Sequence, residues 1–254
     1  MAYTIAVANQ KGGVGKTTTV INLGVALAAM KQKVLLIDMD PQSALTAGLG
    51  IDGSTLDLTI YDALVEDDTS VDPLLHPIKA FLDIIPANSH LAAAEIELIS
   101  EIRRELVLKR LLAHLQSRYD FIIIDCPPNL SLLTINALST SQGVIVPLQC
   151  EHLATRGISA LEEIVTRTKA RLNPDLKILG ILPTMYSTNT KHAREILEKI
   201  KDEFGDKVFD IVIYKSIKFA DASSAKQAIV DFSSRHKGAQ AYKQLAKIII
   251  DSLN

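Results

Sequence analysis

Short runs of branched aliphatic residues alternate along this chain with longer segments in which apolar residues recur every three or four positions. A continuous Val/Ile/Leu run is typical of a strand buried on both faces, and helical periodicity indicates a helix that packs on the sheet. The alternation predicts an α/β fold, a mainly parallel twisted sheet flanked by helices on both faces. The predicted strands are 4–9, 33–38, 81–86, 121–125, 143–147, 177–182 and 208–213, and the predicted helices are 17–30, 103–116, 132–139, 158–172, 191–204 and 240–253.

The size and composition of the chain favour one domain over residues 1–254. Of its residues 48% are hydrophobic, which is enough for one sizeable core, and no Gly-, Ser- or Pro-rich linker interrupts it. No apolar run approaches the roughly 20 residues of a membrane-spanning helix. Met1 is followed by a strand-like run without the features of a signal peptide. We therefore expect a cytoplasmic protein with no membrane partner.

A glycine-rich loop lies between the first predicted strand and the first predicted helix. It reads Lys11-Gly12-Gly13-Val14-Gly15-Lys16-Thr17-Thr18. Glycines let backbone N–H groups turn around phosphate oxygens, and the helix N-terminus adds partial positive charge. In such a loop the Lys16 ammonium neutralises the β- and γ-phosphates and the Thr17 hydroxyl can ligate Mg²⁺. The loop predicts a P-loop NTPase fold with ATP and Mg²⁺ as cofactors; GTP is disfavoured because no NKxD-like segment is present.

Three carboxylates follow predicted strands. Asp38 and Asp40 come after the second strand, and Asp125 ends the strand 121–125. In open α/β sheets ligands bind at the carboxyl ends of the strands, so these groups are expected beside the phosphate loop. There a carboxylate can position a water for attack on the γ-phosphate or hold Mg²⁺ through water. The alternative is that they are ordinary strand ends and that Asp40-Pro41 makes a turn.

The loop departs from the usual GxxxxGK[ST] pattern, since Gln10 stands at its first glycine position and an additional lysine, Lys11, precedes the glycines. In this respect it resembles the deviant Walker A motif of the ParA, MinD and nitrogenase iron protein superfamily. The resemblance implies an ATP-dependent homodimer in which Lys11 reaches the nucleotide bound by the facing subunit.

The same resemblance assigns roles to the carboxylates. It implies that 38–42 is switch I, with a catalytic role for Asp40 and a supporting one for Asp38. It implies that Asp125 is the Walker B carboxylate near Mg²⁺, and that Cys126-Pro127-Pro128 begins switch II. The implied catalytic residues are thus Lys11, Lys16, Asp40 and Asp125, and the implied metal site is Thr17, Asp40 and Asp125.

Beyond these motifs the chain resembles ParA/Soj partition proteins over essentially its whole length, most closely in 3–50 and 119–151. The likeness weakens at 155–157, which reads Thr-Arg-Gly, and at 213–229, where Tyr214, Ser223 and Ala228 stand at positions that are usually proline. The family resemblance implies ATP hydrolysis, non-specific DNA binding, a nucleoid-associated location, and a ParB-like or other adaptor that stimulates hydrolysis.

The C-terminal third is mildly basic, with 13 Lys and Arg against 10 Asp and Glu in residues 175–254, although the whole chain carries a net charge of −2. The candidate DNA-binding residues are Lys191 and Arg194 on a predicted helix and Lys215, Lys218 and Lys226 on a following loop. Contacts from such side chains go to phosphates and carry no sequence information. The alternative is a solvated face whose charges are offset by acidic neighbours.

Two further alternatives concern partners. A cargo-positioning ATPase would use the same cycle, and a MinD-like protein would cycle on membranes by means of a terminal amphipathic helix. The segment 243–253 is amphipathic, but its apolar residues fit a helix that packs on its own sheet. The apolar residues are Leu245, Ile248, Ile249 and Leu253, together with Ala241 just before the segment.

The two cysteines, Cys126 and Cys150, lack CxxC spacing and neighbouring histidines. We interpret them as buried free thiols. The nitrogenase iron protein, a relative of this class, holds an iron–sulfur cluster between subunits, which leaves a cluster ligand as the alternative for Cys126.

Overall fold

A seven-stranded sheet lies at the centre of the computed structural model, which describes residues 1–66, 70–150, 154–187 and 191–253 but not the side chains of 154–157 and 191–192. Within these residues the strands are β1 (Tyr3–Val7), β2 (Val34–Asp38), β3 (His76–Lys79), β4 (Leu82–Ile85), β5 (Phe121–Asp125), β6 (Gly143–Gln149) and β7 (Lys177–Thr184). Their order is β3-β4-β2-β5-β1-β6-β7. All neighbours are parallel except β3, which is antiparallel to β4.

The helices of the described part are α1 (Lys16–Ala29), α2 (Ala44–Gly48), α3 (Ile60–Val65), α4 (Leu91–Glu97), α5 (Val107–Leu111), α6 (Leu132–Thr140), α7 (Ala154–Arg171), α8 (Lys191–Phe204), α9 (Ile217–Ser224), α10 (Ile229–Phe232) and α11 (Lys237–Asp251). Short 3₁₀ turns lie between several of them. The predicted α/β class, a mainly parallel sheet with helices on both faces, is confirmed.

Successive strand residues point to opposite faces of the sheet, and two buried clusters result. On one face, alternate residues of the strands pack with α3 to α8; on the other, the remaining strand residues pack with α1, α2, α9, α10 and α11. Every residue of β2 and β5 is buried, as expected for central strands that are covered on both sides. The strands β2, β5 and β1 are neighbours at the centre of the sheet, so their carboxyl ends lie side by side.

The predicted strand 208–213 is wrong. That segment follows the edge strand β7 and donates to it at two points, from Phe209 N to Ile181 O (3.0 Å) and from Ile213 N to Pro183 O (2.9 Å). Pro183 has no N–H to return a bond, so a regular ladder does not continue and only isolated bridges form. The Phe209 ring instead covers Gly180, where a Cβ would lie 2.5 Å from the ring.

The predicted helix 103–116 is broken into a 3₁₀ turn, the short α5 and a second 3₁₀ turn. Arg103 has a left-handed backbone (φ 59) and cannot lie within a helix. The buried Asn136 side chain forms hydrogen bonds with backbone groups of this segment. Its Oδ1 accepts from Leu108 N (3.1 Å), and its Nδ2 donates to Arg104 O (2.8 Å). A tertiary contact thus overrides the local periodicity.

The edge strand β3 was not predicted from the sequence, because its four residues include Pro77, which is tolerated only at a sheet edge. Among the described residues, no helix is long and apolar enough to span a bilayer.

Candidate functional site

The glycine-rich loop leaves β1 at the middle of the sheet and leads directly into α1. Gly13 (φ 72) and Gly15 (φ 91) have left-handed backbone conformations, which glycine adopts without the steric cost that a Cβ brings. Gly15 is the residue immediately before α1, so the turn delivers the N-terminal N–H groups of α1 to the inside of the loop. The backbone therefore has the conformation that a phosphate cradle requires.

Two polar side chains from outside the motif fix the loop to neighbouring strands. Asn9 Nδ2 donates to Pro147 O at the end of β6 (2.7 Å), and Asn9 Oδ1 accepts from Lys11 N (2.9 Å). Thr184 Oγ1, at the end of β7, donates to Val14 O (2.8 Å). Sequence reasoning did not assign a role to Thr184, and its only signal was a polar residue at a strand end.

The Lys16 side chain folds back over the loop and is only 7% exposed. Its Nζ donates to Lys11 O at 3.3 Å. Burial lowers the pKa of Lys16, while the negative groups of Asp125, Cys126 and Asp40 oppose that shift. A buried ammonium group interacts more strongly with a phosphate anion than an exposed one does, because the local dielectric constant is lower.

Asp125 is fully buried, and neither of its carboxylate oxygens has a hydrogen bond of good geometry to the described residues. Burial first, and then the charge of Asp38, raise the pKa of Asp125 well above its usual range. The Thr17 hydroxyl lies close enough to moderate that pKa, as does Lys16. Buried oxygens without partners are rare and call for a cation or ordered water.

Asp38 is also fully buried, but its oxygens are satisfied. Oδ2 accepts from Thr46 N (2.9 Å) and Thr46 Oγ1 (2.7 Å), and Oδ1 accepts from Asp40 N (3.2 Å). Thr46 Oγ1 in turn accepts from Ala87 N (2.9 Å), so one hydroxyl joins β2 to the segment after β4. Burial raises the pKa of Asp38 to about 6 in spite of these bonds. Asp38 thus holds the backbone of Asp40 and Thr46 in place, and Thr46 is a residue of this network that the sequence did not reveal.

Asp40 completes the acidic group. Its Oδ1 accepts from Gln42 N at 2.9 Å, and its side chain is close enough to Lys16 and Asp125 to influence the pKa of each. Asp38 and Asp125 are register partners on β2 and β5. The structure therefore brings Lys16, Asp40 and Asp125 together at one edge, as predicted from their positions after separate strands.

Both cysteines are free and buried, which confirms the interpretation as free thiols. Burial is the main cause that raises the pKa of Cys150, to about 11, and the pKa of Cys126 well above that of an ordinary thiol. In the part of the chain that the structure describes, no group of three or more His, Cys, Asp and Glu side chains could hold a metal ion.

A cavity of about 260 Å³ lies beside the phosphate loop, between the ends of β1 and β7. Its walls are mainly apolar or aromatic and come from four segments. The lining residues are Gly15, Thr18, Thr184, Met185, Ile213, Tyr214, Lys215, Ser216, Phe219, Ala220 and Tyr242. The sequence did not predict this cavity, because its segments are distant in the chain.

The candidate DNA-binding residues are distributed differently from the prediction. Lys218 lies on α9 and not on a loop, and its Nζ pairs with Asp221 Oδ2 at 3.0 Å on the surface. Lys215 lines the cavity. Lys226 follows α9, and its side chain packs near Gly50, where an added Cβ would lie 3.6 Å from Lys226 Cδ.

Lys191 and Arg194 lie on α8, which belongs to the opposite helix layer from α9. The side chain of Lys191 is outside the described residues. The helices that carry Arg194 and Lys218 thus pack on opposite faces of the sheet.

Comparison with known proteins gives matches over nearly the whole chain. A family model described as "AAA domain" matches residues 2–178. The sporulation initiation inhibitor protein Soj of Bacillus subtilis is 45% identical over 247 residues, which cover 97% of this chain and 98% of Soj. The chromosome partitioning protein ParA of Myxococcus xanthus is 41% identical over 96% of this chain and 86% of that protein.

A solved structure with the same fold shows a nucleotide complex. It is described as a cobyrinic acid a,c-diamide synthase from Mycobacterium smegmatis with a bound ATP analogue and magnesium, and it superposes with a TM-score of 0.87 at 39% identity. The alignment covers 98% of this chain and 95% of that one. Together with the phosphate loop and the acidic group of switch I and Walker B type, these matches show that the chain belongs to the ParA/Soj family of P-loop ATPases with a deviant Walker A motif.

Proposed function

We propose that the protein is a Mg²⁺-dependent ATPase that dimerises with ATP, binds DNA non-specifically as the dimer, and acts in chromosome or plasmid partition with a ParB-like or other adaptor that stimulates hydrolysis. The observation that carries the proposal is the closeness of a buried Lys16 in a glycine-rich loop to a buried Asp125, whose oxygens have no hydrogen bond of good geometry to the described residues. Such a site has room for a phosphate anion and for one cation. The names of Soj and ParA supply the partition context.

Mg²⁺ suits this donor set. Asp125 offers two oxygens without protein partners, and Thr17 offers a hydroxyl at the start of α1. Mg²⁺ keeps several waters and is usually bound through one or two protein groups together with substrate phosphates. When bound, it would neutralise charge that develops on the phosphates during transfer. Thr17 would hold the ion directly, and Asp125 and Asp40 would hold it through water.

Hydrolysis needs a positioned water, and Asp40 is our candidate for that role. Its carboxylate is buried beside Lys16 and is fixed by the bond from Gln42 N. Phosphoryl transfer depends mainly on positioning and on electrostatic stabilisation. Asp40 would hold the attacking water, while Lys16 would stabilise negative charge on the γ-phosphate oxygens.

The cavity beside the loop would take the base of the nucleotide. It begins at Gly15 and Thr18, where the phosphates end, and its apolar walls from Ile213, Met185 and Phe219 suit a flat aromatic ring. Lys11, two residues after Asn9 at the start of the loop, would reach the nucleotide of the facing subunit in the dimer, as the family resemblance implies.

The membrane-cycling alternative is disfavoured by the packing of α11. Leu245 (0% exposed) and Ile249 (3%) belong to the core on the α1 side of the sheet, so the apolar face of α11 is used internally. Leu253 was expected to pack with them and does not; it is 39% exposed beyond the end of the helix. A cargo-positioning role uses the same cycle and remains the alternative to partition, since the two differ only in the partner.

The test of the nucleotide site is Lys16→Ala. It removes the main charge that compensates the β- and γ-phosphates, so ATP binding measured by calorimetry with Mg²⁺ should be lost. Lys109→Ala, a substitution of an exposed lysine on α5, is the matched control and should bind as the wild type does. ATP affinity of Lys16→Ala near that of the wild type would refute the phosphate-site assignment.

A further inference from the structure

Three small polar side chains line the base cavity, Thr18, Thr184 and Ser216, and Ser216 lies at the N-terminus of α9. Its oxygen is engaged twice on the protein side. It accepts from Lys218 N at 3.3 Å, which caps α9, and it lies 3.1 Å from Nε2 of His236. Most of the remaining wall is apolar or aromatic, so the hydrogen-bonding state of this hydroxyl matters for what the cavity can bind.

The role of His236 follows from its other nitrogen. Nδ1 accepts from Gly238 N at 3.0 Å and caps α11. A neutral imidazole has one N–H and one acceptor nitrogen, so a bond accepted at Nδ1 places the proton on Nε2. His236 therefore donates to Ser216 and does not accept from it.

A serine hydroxyl has two acceptor lone pairs and one proton to donate. With both lone pairs used by Lys218 N–H and His236 Nε2–H, the Ser216 proton is left to donate elsewhere. Since Ser216 lines the cavity, that donor is available to a ligand in it.

The surroundings of His236 hold this arrangement in place. The Phe219 ring stands edge-on to His236 (centroids 6.1 Å apart, 90°) and to Tyr242 (6.3 Å, 82°). Tyr242 Oη lies 3.3 Å from Thr19 Oγ1 on α1. An added Cβ on Gly238, the second residue of α11, would lie 2.6 Å from Phe219 Cζ, so the glycine leaves room for the ring. The cluster thus joins the start of α11, the start of α9 and α1 around one side of the cavity.

We propose that Ser216 donates a hydrogen bond to an acceptor nitrogen of the nucleotide base, and that His236 is the positioning residue that fixes Ser216 as a donor. The inference rests on the proposed function, because it assumes that the cavity takes the base of ATP. It adds a specificity-determining group that lies outside the phosphate loop and the acidic switches.

A pair of substitutions at His236 separates its two bonds. The side-chain amide of Asn lies where Nδ1 lies, so His236→Asn keeps the cap on Gly238 N and loses the reach to Ser216. The longer Gln brings its N–H group to the place of Nε2, so His236→Gln keeps the donor to Ser216 and loses the cap. We expect His236→Asn to keep the Tm of the wild type but to raise the Kd for Mg·ATP about three- to tenfold. His236→Gln should lower the Tm but keep the Kd within about twofold.

Ser216→Ala should raise the Kd for Mg·ATP by about the same three- to tenfold, and the double variant with His236→Asn should bind no more weakly than either single variant. Tripolyphosphate with Mg²⁺ has no base, so all four variants should bind it as the wild type does. Equal Mg·ATP affinity of wild type, Ser216→Ala and His236→Asn would overturn the inference and leave the proposed function standing. A wild type that binds neither Mg·ATP nor tripolyphosphate would overturn both.

Discussion

The carboxyl group of Asp125 is fully buried by the fold, and this burial has a consequence for stability. Its pKa in the folded state lies well above the unfolded value of about 3.9, chiefly because burial disfavours the ionised form. The resulting cost is absent below about pH 4, where both states are protonated, and is present in full above the folded-state pKa. The stability of the nucleotide-free protein should therefore fall as the pH rises from about 4.

Asp125→Asn removes that cost. We expect the nucleotide-free variant to be more stable than the wild type at pH 7, by about 1–3 kcal/mol in urea unfolding, and the difference to vanish near pH 4. Mg²⁺-dependent ATP hydrolysis should fall on the order of 100-fold, because a group near the transferring phosphate is lost. A variant that is less stable than the wild type at pH 7 would show that Asp125 has a stabilising partner in solution.

Asp40 is predicted to act on the water and not on the phosphates. Asp40→Ala should keep the Kd for ATP within about threefold of the wild type, while kcat falls about 100-fold or more. Binding by calorimetry and phosphate release by a coupled assay separate the two quantities. Asp52→Ala, a substitution of an exposed carboxylate after α2, is the control and should not change kcat. Normal turnover by Asp40→Ala would move the water-positioning role to another residue.

At the scale of elements, α9 has two kinds of neighbour. Its N-terminal residues line the cavity, and Lys215 and Lys218 stand at or just before its start, where they face outward. The surface pair of Lys218 with Asp221 stabilises little and leaves the lysine available to an anion. The element that we propose to contact DNA is therefore also a wall of the proposed base cavity.

Replacement of Lys215 and Lys218 by Glu should weaken ATP-dependent binding to random-sequence DNA at least about tenfold at low salt and reduce the salt dependence, since phosphate contacts are lost. Gel shifts should be run at saturating ATP, because Lys215 also lines the cavity. Lys243→Glu with Lys247→Glu on α11 changes the net charge equally and serves as the control. If both pairs weaken DNA binding equally, net charge and not α9 is responsible; if the wild type does not bind DNA with ATP, the proposed partition role fails.

At the scale of the whole molecule, Gly12 is the position at which we expect a substitution to separate nucleotide binding from dimerisation. Gly12 is not in the left-handed region, unlike Gly13 and Gly15, and an added Cβ would lie in ordinary contact with Pro128 at 3.9 Å. A side chain at Gly12 is therefore tolerated within its own chain. In a sandwich dimer the same side chain would stand beside Lys11, at the surface that meets the facing subunit.

Gly12→Val should consequently bind ATP but remain monomeric in sedimentation velocity with Mg·ATP, whereas Gly12→Ala, with a smaller side chain, should retain part of the dimer. Both variants should have a dissociation constant for ATP close to that of the wild type, because the phosphate loop is unchanged. An ATP-dependent dimer of Gly12→Val as stable as that of the wild type would contradict the sandwich geometry.

The sequence by itself determined the class of the fold and the centre of the site. A continuous aliphatic run such as 121–125 is typical of a central strand, and glycines at fixed spacing before a helix have a local backbone mechanism. Asp40 and Asp125 could be placed together because parallel strands end at one edge of the sheet. In each case the information lies within a few neighbouring residues or in the general geometry of α/β sheets.

The tertiary structure alone decided the contacts between distant segments. The Thr46 hydroxyl that joins Asp38 to Ala87, and the His236 donor that meets Ser216, depend on how loops pack after the sheet has formed. The same packing placed α8 and α9 on opposite faces and broke the predicted helix at Arg103. Hydrophobic periodicity indicates which residues are buried, but not which polar side chains form hydrogen bonds with one another. Each such pair needs only one donor and one acceptor, so it leaves no repeating pattern in the chain.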